Sequence, residues 1–329
     1  MRIAILKLSA LGDIVNSMVI LQFIKKYYPD SRIDWIVEKR FKGILENNPH
    51  IYQIQTVDIN KAKINKSLKL LYRELVSVKN FGEYDIVIDL QGLIKTALIT
   101  KFVNSKKIIG FDFYSIRERI ASYFYDERVN IGYDQNTILR NIKLVSLALN
   151  IQISSEDIIN KDSYLFYQGS VSLSQLNYVV FVIGSSWSSR NYPKEKYVEV
   201  ANLLKKDCIV IWGNSEEKQK AEWMMANSTY VKVMPKLSIN DLKYVISQAS
   251  LLIGNDTGPS HISWAFNIPS IILFGPTPID RMFQTDLNWA LKSSSKINHM
   301  KLNKNDFSIK EISVDEIVKI ARHLLEVYS

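Results

Sequence analysis

The feature that most restricts the fold is a recurrence of short, β-branched apolar runs, each closed by turn residues and separated from the next by a helix-length segment. In the first half these runs fall at residues 2–7 (RIAILK), 33–38 (IDWIVE), 51–57 (IYQIQTV) and 84–90 (YDIVIDL). In the second half they fall at 178–184 (YVVFVIG), 208–213 (CIVIWG), 250–255 (SLLIGN) and 270–275 (SIILFG). Continuous apolar strands suit a sheet covered on both faces, and helix-length connections suit parallel strands. Helices are expected over 14–28, 92–103, 116–125, 194–206, 216–227 and 241–248. A last helix spans 313–328, with Ser313 as N-cap and Glu316 completing a capping box. Residues 150–174 are polar and without a strong period, so they read as a linker. The expectation is an α/β protein of two Rossmann-like domains, 1–165 and 166–329, each with a parallel sheet and facing one another across a cleft.

Composition limits the function classes. A 47% hydrophobic content over 329 residues supports sizeable cores and argues against disorder. The single cysteine, Cys208, rules out a disulfide framework and a multi-cysteine metal cluster, and its setting is that of a buried strand. The opening MRIAILKLSA is too short and strand-like for a signal peptide, and no apolar run has the length to span a bilayer. A soluble, cytoplasmic protein is expected. The net charge is +9, and Lys and Arg outnumber Asp and Glu by six before residue 166 but by three after it. That bias suits an acidic substrate, an anionic membrane surface or nucleic acid, and equally it can serve solubility alone.

In open parallel sheets, ligands bind beyond the carboxyl ends of the strands, so the strand-to-helix turns carry the candidates. The first is LSALGDIV, where Gly12 and Asp13 sit at a helix start; Asp13 reads as a helix cap or as a catalytic carboxylate. The turn has no GxGxxG run, which leaves a dinucleotide dehydrogenase unsupported. The second is GNDTGPSHISWAFNIPSIILFGPT. There the amides and hydroxyls of Thr257, Gly258 and Ser260 suit a phosphate at a helix N-terminus, with Asp256 and His261 beside them. Asp256 as a turn former and His261 as a core-edge residue fit the same pattern. The third is IGSSWSSRNYPKEKY, where Ser185, Ser186, Ser188, Ser189 and Arg190 make a diphosphate cradle or a plain serine-rich loop. Glu217, after IWGNSE, can accept from a ribose or simply charge a helix. The segment 61–73 carries Lys61, Lys63, Lys66, Lys69 and Arg73, with Leu68, Leu71 and Leu75 as an apolar stripe; it can meet anionic lipid or an acidic sugar, or be a solvated face. Arg117, Glu118 and Arg119 form a second charged group, and Gln91 and Lys95 occupy the turn of DLQGLIK.

Taken together, KLSALGD, DWIVEKRF, DLQGLIKTAL, RERIASYFY, the serine loop with YPKEKY, WGNSEE, VMPKLS and the DTGxSH segment resemble glycosyltransferase family 9, the heptosyltransferases of GT-B fold. The resemblance implies inverting, metal-independent transfer of L-glycero-D-manno-heptose from ADP-heptose to the Kdo residue of Kdo-lipid A in lipopolysaccharide inner-core synthesis. By position it implies Asp13 as general base and Gly12, Ser185, Ser186, Arg190, Glu217, Asp256, Thr257, Gly258 and His261 at the donor. Ser9, Lys61, Lys63, Gln91 and Arg117 fall at the acceptor. No cofactor, metal site or nucleic acid is implied; the partners are donor, acceptor and, transiently, the anionic inner leaflet, which makes the protein cytoplasmic and peripheral. The family carries threonines and a lysine where this chain has Ser185, Ser186 and Arg190, so hydroxyl and charge are kept. The last helix, in this fold, is a candidate to pack back on the first domain. Other readings are a heptosyltransferase II-type enzyme or another ADP-heptose-dependent member, a nucleotide-sugar epimerase, and a non-catalytic protein that binds anionic surfaces.

Overall fold

The apolar runs pair side by side, all in one direction. The computed structural model describes residues 1–169, 171, 177–298 and 302–328. Its contacts separate two units, Met1–Phe166 and Tyr167–Ser329.

In the first unit the strands are β1 (Arg2–Leu6), β2 (Arg32–Glu38), β3 (Gln53–Val57), β4 (Glu83–Tyr84), β5 (Ile86–Asp89), β6 (Asn104–Ser105), β7 (Ile108–Phe111) and β8 (Glu127–Val129). The six-stranded sheet runs β3-β2-β1-β5-β7-β8, while β4 and β6 pair separately. The register sets Ile5 beside Trp35 and Ile88 and sets Leu6 beside Asp89. Ile3, Ile5, Trp35, Val37, Val87 and Ile88 are fully buried, as a sheet covered on both faces demands. Its helices are α1 (Leu11–Met18), α2 (Ile20–Tyr27), α3 (Lys42–Leu45), α4 (Ile59–Ile64), α5 (Leu68–Ser77), α6 (Ile94–Thr100), α7 (Thr137–Leu149) and α8 (Ser155–Ile159).

The second unit repeats the order with β9 (Val179–Val182), β10 (Cys208–Ile211), β11 (Val231–Val233), β12 (Leu251–Asn255), β13 (Ser270–Phe274) and β14 (Asn288–Lys292). Its sheet runs β11-β10-β9-β12-β13-β14. The helices are α9 (Lys194–Leu204), α10 (Ser215–Ala226), α11 (Ile239–Ser247), α12 (Gly258–Ala265) and α13 (Val314–Tyr328). Both sheets therefore wind outward in two directions from their first strand, the doubly wound Rossmann-like order, and two such units make up the GT-B class. Each has one switch point, between β1 and β5 and between β9 and β12.

Several elements differ from the sequence expectation. The helix expected at 14–28 begins at Leu11 and breaks at Val19. Residues 116–125 hold a 3₁₀ stretch, Arg119–Phe124, in place of an α-helix. The segment 61–73 is divided between α4 and α5, and Leu68 of its expected stripe is 82% exposed while Leu75 is buried. The expected linker opens with α8, capped by Ser154 and joined to α2 through Lys26 and Asp157 at 3.0 Å. Residues 170 and 172–174 of that linker lie outside the described residues. The buried face of α13 (Ile317, Val318, Ala321, Leu324, Leu325) belongs to the second unit's core with Val200 and Ile271. Cys208 is fully buried, and burial pushes its thiol up to about 12. Among the described residues no helix is long and apolar enough to cross a membrane.

Candidate functional site

The first switch point is closed by side chains that tie two turns together. Gln91, after β5, accepts from the amides of Leu8 and Ser9, after β1, at 3.1 and 3.2 Å. Lys7 is buried and donates to the Leu90 carbonyl at 2.7 Å. Below them Asp89 is fully buried and accepts from the Gln91 and Gly92 amides at 2.8 and 3.2 Å and from the Tyr125 hydroxyl at 2.8 Å. Burial raises the Asp89 carboxyl, and these hydrogen bonds oppose it. Gly92 has φ +66°, a conformation that favours glycine, and a Cβ there would meet Ile116 at 2.6 Å. The turn is thus fixed by a buried carboxylate, and the sequence gives no sign that Asp89 and Lys7 play this part.

On that platform Asp13 sits in the first turn of α1, half-buried, and its Oδ2 accepts the Ala10 amide at 3.1 Å. One carboxylate oxygen therefore caps the helix; the other has no hydrogen bond within the described residues. The cap is thus present, and a capping carboxylate keeps one oxygen available. Gly12 is buried beside it. Lys61 and Lys63 are exposed on α4, whose N-cap Asp58 accepts the Lys61 amide at 3.1 Å. Glu38 at the end of β2, buried and raised mainly by that burial, holds the same segment by accepting the Asn60 amide at 2.7 Å. Arg117 is exposed in the loop after β7, which Glu118 fastens to α6 by accepting the Ile94 amide at 2.7 Å. Ser9, Asp13, Gln91, Lys61, Lys63 and Arg117 thus all stand at the carboxyl end of one sheet. Lys61 and Lys63 follow its edge strand β3, and Arg117 follows β7 on the other side of the switch point.

The second switch point is stapled by Asn255, whose amide donates to the Ile183 carbonyl at 2.7 Å and accepts from the Tyr192 amide at 3.0 Å. Next to it Asp256 is buried at the centre of a charged cluster. Its Oδ2 lies 2.7 Å from the Arg190 guanidinium and 3.6 Å from Arg281, and it accepts from the Thr277 hydroxyl at 2.9 Å. Its Oδ1 lies 3.2 Å from His261 Nε2. Burial alone would raise this carboxyl; Arg190, His261 and Arg281 outweigh it and hold the group well below the usual carboxylate range. Arg190 also donates to the Asp256 carbonyl. The arginine expected to grip phosphate is therefore committed first to a carboxylate; Thr277 comes from the Gly275-Pro276-Thr277 turn expected to flank this mouth, while Arg281 joins a site in which the sequence reading did not place it.

A cleft of about 360 Å³ opens beside this cluster. Gly184, Ser185 and Ser186 after β9, Trp212 to Asn214 after β10, Glu217, Leu237 to Ile239, Leu242, Thr257 and Pro259 line it. Glu217 crosses from α10 to accept the Gly213 amide at 2.7 Å and the Asn214 side-chain amide at 2.8 Å. It packs so closely on Gly184 that a Cβ there would stand 2.1 Å from the Glu217 carboxylate. The Ser185 hydroxyl donates to the Trp187 carbonyl at 2.7 Å. Thr257 is the N-cap of α12, and Pro259 occupies the first turn. The amides of Thr257 and Gly258 have no acceptor among the described residues, so a helix N-terminus with open donors borders the cleft. The Ser189 hydroxyl and the Asn191 side-chain oxygen, one loop away, are buried without a hydrogen-bond partner. Open amides, hydroxyls and a cluster with two arginines around one aspartate suit a phosphorylated ligand. Among the described residues no group of three His, Cys, Asp or Glu is placed to hold a metal ion.

The chain is similar to known proteins over most of its length. The profile of "Glycosyltransferase family 9 (heptosyltransferase)" matches residues 77–312. Lipopolysaccharide heptosyltransferase 1 of Campylobacter coli is 36% identical, over 98% of this chain and 99% of its own. The protein of the same description from Escherichia coli K12 is 29% identical, over 84% of this chain and 88% of its own. The structure of E. coli heptosyltransferase WaaC with ADP-2-deoxy-2-fluoro heptose superposes with a TM-score of 0.80 at 22% identity, covering 98% of this chain and 99% of that one. A family match across most of the sequence, together with a full-length relative at this identity, means that the chain belongs to glycosyltransferase family 9, the heptosyltransferases.

Proposed function

We propose that this glycosyltransferase moves L-glycero-D-manno-heptose from ADP-heptose to the Kdo residue of Kdo-lipid A in lipopolysaccharide inner-core synthesis, at the cytoplasmic face of the inner membrane. The observation that carries this reading is the 36% identity with a lipopolysaccharide heptosyltransferase 1 over nearly the whole of both chains. The second unit's cleft supports a nucleotide-sugar donor: Glu217 stands at its wall for the ribose, and Ser185, Ser186 and the open Thr257 and Gly258 amides serve the diphosphate. Arg190 and Arg281 bring two guanidinium groups to the cluster around Asp256, which suits the diphosphate of the leaving group. His261 and Gly12 complete the donor contacts. On the first unit, Lys61, Lys63 and Arg117 match a carboxylated acceptor sugar, with Ser9 and Gln91 beside them. No cofactor is invoked; ADP-heptose is a substrate.

In this mechanism the unpartnered oxygen of Asp13 takes the proton from the acceptor hydroxyl as its oxygen attacks the anomeric carbon. The bond from that carbon to the β-phosphate oxygen breaks on the opposite face, which inverts the centre. The electron pair leaves with ADP, whose charge is met by donors already in place. Asp13→Asn keeps the helix cap and removes the base, so kcat should fall by about 10²–10⁴-fold with ADP affinity unchanged. The test is incubation with ADP-heptose and Kdo-lipid A, with and without EDTA, reading product mass and ADP release. Near-wild-type turnover by Asp13→Asn, or loss of turnover in EDTA, overturns the mechanism. A strict requirement for an acceptor that already bears heptose replaces the acceptor assignment with that of a heptosyltransferase II.

A further inference from the structure

The two helices after β3 turn large apolar side chains outward. Ile64, Leu68 and Tyr72 are 71%, 82% and 65% exposed, whereas Ala62 and Leu75 are buried. Leu68 and Tyr72 lie four residues apart on α5 and so share a face; Ile64 closes α4 just before them. Interleaved with these three are Lys61, Lys63, Lys66, Lys69 and Arg73, all exposed and none in an ion pair among the described residues. The two carboxylates of the segment face backbone amides: Asp58 accepts from Lys61 at 3.1 Å and Glu74 accepts from Asp58 at 2.8 Å. Single exposed apolar residues are ordinary on a protein surface. Three within nine positions, set among five unpaired cations, are the composition of a helix that lies in a membrane interface.

We infer that the α4–α5 face is a membrane-docking surface, in which Ile64, Leu68 and Tyr72 enter the headgroup–acyl boundary of an anionic bilayer and Lys66, Lys69 and Arg73 lie against lipid phosphates, with Lys61 and Lys63 left to the acceptor sugar. The charge argues for a bilayer over a second copy of this chain, because two such faces would oppose ten cations. The position gives the docking a purpose, and here it rests on the acceptor reading above. The α4–α5 segment leaves β3 at the same sheet end as Ser9, Asp13 and Gln91, so a bilayer held there presents a lipid-anchored sugar to that mouth. Each cation near an anionic surface strengthens partitioning about fivefold, and a buried leucine side chain about tenfold or more.

The test is co-sedimentation of the full-length protein with vesicles that contain phosphatidylglycerol and with vesicles of phosphatidylcholine alone, at low and high salt. Binding to the anionic vesicles, weakened by salt and reduced about tenfold or more by Leu68→Asp, is expected; Lys66→Glu with Lys69→Glu should reduce it further. Leu68→Asp should keep its Tm and its transfer to a water-soluble, deacylated acceptor while losing transfer to the vesicle-embedded one. Equal binding to both vesicle types, no binding, binding untouched by Leu68→Asp, or a dimer that Leu68→Asp dissolves would each overturn the proposal. Vesicle binding that behaves as expected in a protein that transfers heptose to neither acceptor would uphold the docking surface and refute the functional reading instead.

Discussion

Asp256→Asn is the substitution whose cost the structure defines best. It removes one charge and little volume, and it leaves Arg190, whose side chain is 8% exposed, facing a neutral amide. Arg281 is 38% exposed and can turn to water, so it adds little to the penalty. Breaking a buried ion pair from one side costs about 3–5 kcal/mol, because the remaining charge stays desolvated. For a unit of this size each kcal/mol moves Tm by about 2–4 °C, so the melting of the second unit should fall by roughly 6–20 °C. Since the Asp256 carboxyl is held below its unfolded value, the stability it contributes is present above the ordinary carboxylate pKa and is lost only as pH falls through the depressed one. The carboxylate's own titration therefore adds no pH dependence to the deficit above about pH 5, since unfolded Asp titrates at about 4. Adding Arg190→Leu removes the stranded cation and should restore about 2 kcal/mol or more of the loss in a double-mutant cycle followed by calorimetry. Penalties that simply add, or a Tm within about 1 °C of wild type for Asp256→Asn, would show that the pair is not what orders this loop.

Gly184→Ala places a methyl group where the Glu217 carboxylate stands and must displace it. Isothermal titration should show ADP binding weakened about tenfold, as for a lost charged hydrogen-bonding partner, with Tm nearly unchanged because the displaced group is the end of a flexible side chain. Lys161 is buried, and desolvation lowers its ammonium from 10.5 to about 7. The unfolded chain holds a proton that the folded one has released, so stability of the first unit should rise with pH between about 7 and 10.5. Lys161→Met should be more stable than wild type at pH 7 and lose that slope in thermal melts across the same window.

The fold was legible where burial writes itself into composition. RIAILK, YDIVIDL, YVVFVIG and SLLIGN are strands buried on both faces, and all of them sit beside a switch point, where the apolar demand is greatest. Three of the four edge strands were not legible, although the fourth, β3, was read at 51–57, and the inner strand β7 was missed as well. Glu127–Val129 and Val231–Val233 are three residues each, and Asn288–Lys292 reads NWALK; edge positions with one covered side need too little apolar sequence to stand out from loop. The helix Thr137–Leu149 escaped for another reason. Its start is set by the Asn136 side chain, which accepts the Ile138 amide at 2.9 Å, and a capping asparagine after DQ looks like any polar turn.

In the site, the sequence supplied residue types and turns but not the partners that decide what each charge can do. Arg190 stands in the loop that the motif indicates, yet its guanidinium is bound to Asp256, and the cation that stays partly exposed is Arg281, twenty-five positions beyond that aspartate. Gln91 occupies the expected turn, but its carbonyl oxygen is spent on the Leu8 and Ser9 amides, so only its amide nitrogen is left for a ligand. Asp13 is the opposite case, since a cap at the third helical position uses one oxygen and leaves one. The basic helices differ again. Helical periodicity grouped Leu68 with Leu71 and Leu75, and all three do lie on α5, but Leu68 is its first residue and is exposed there, whereas Leu75 near the other end is buried. A charge or an apolar side chain serves a ligand only when the fold has not already used it, and that allocation depends on pairings across strands that lie far apart in the chain.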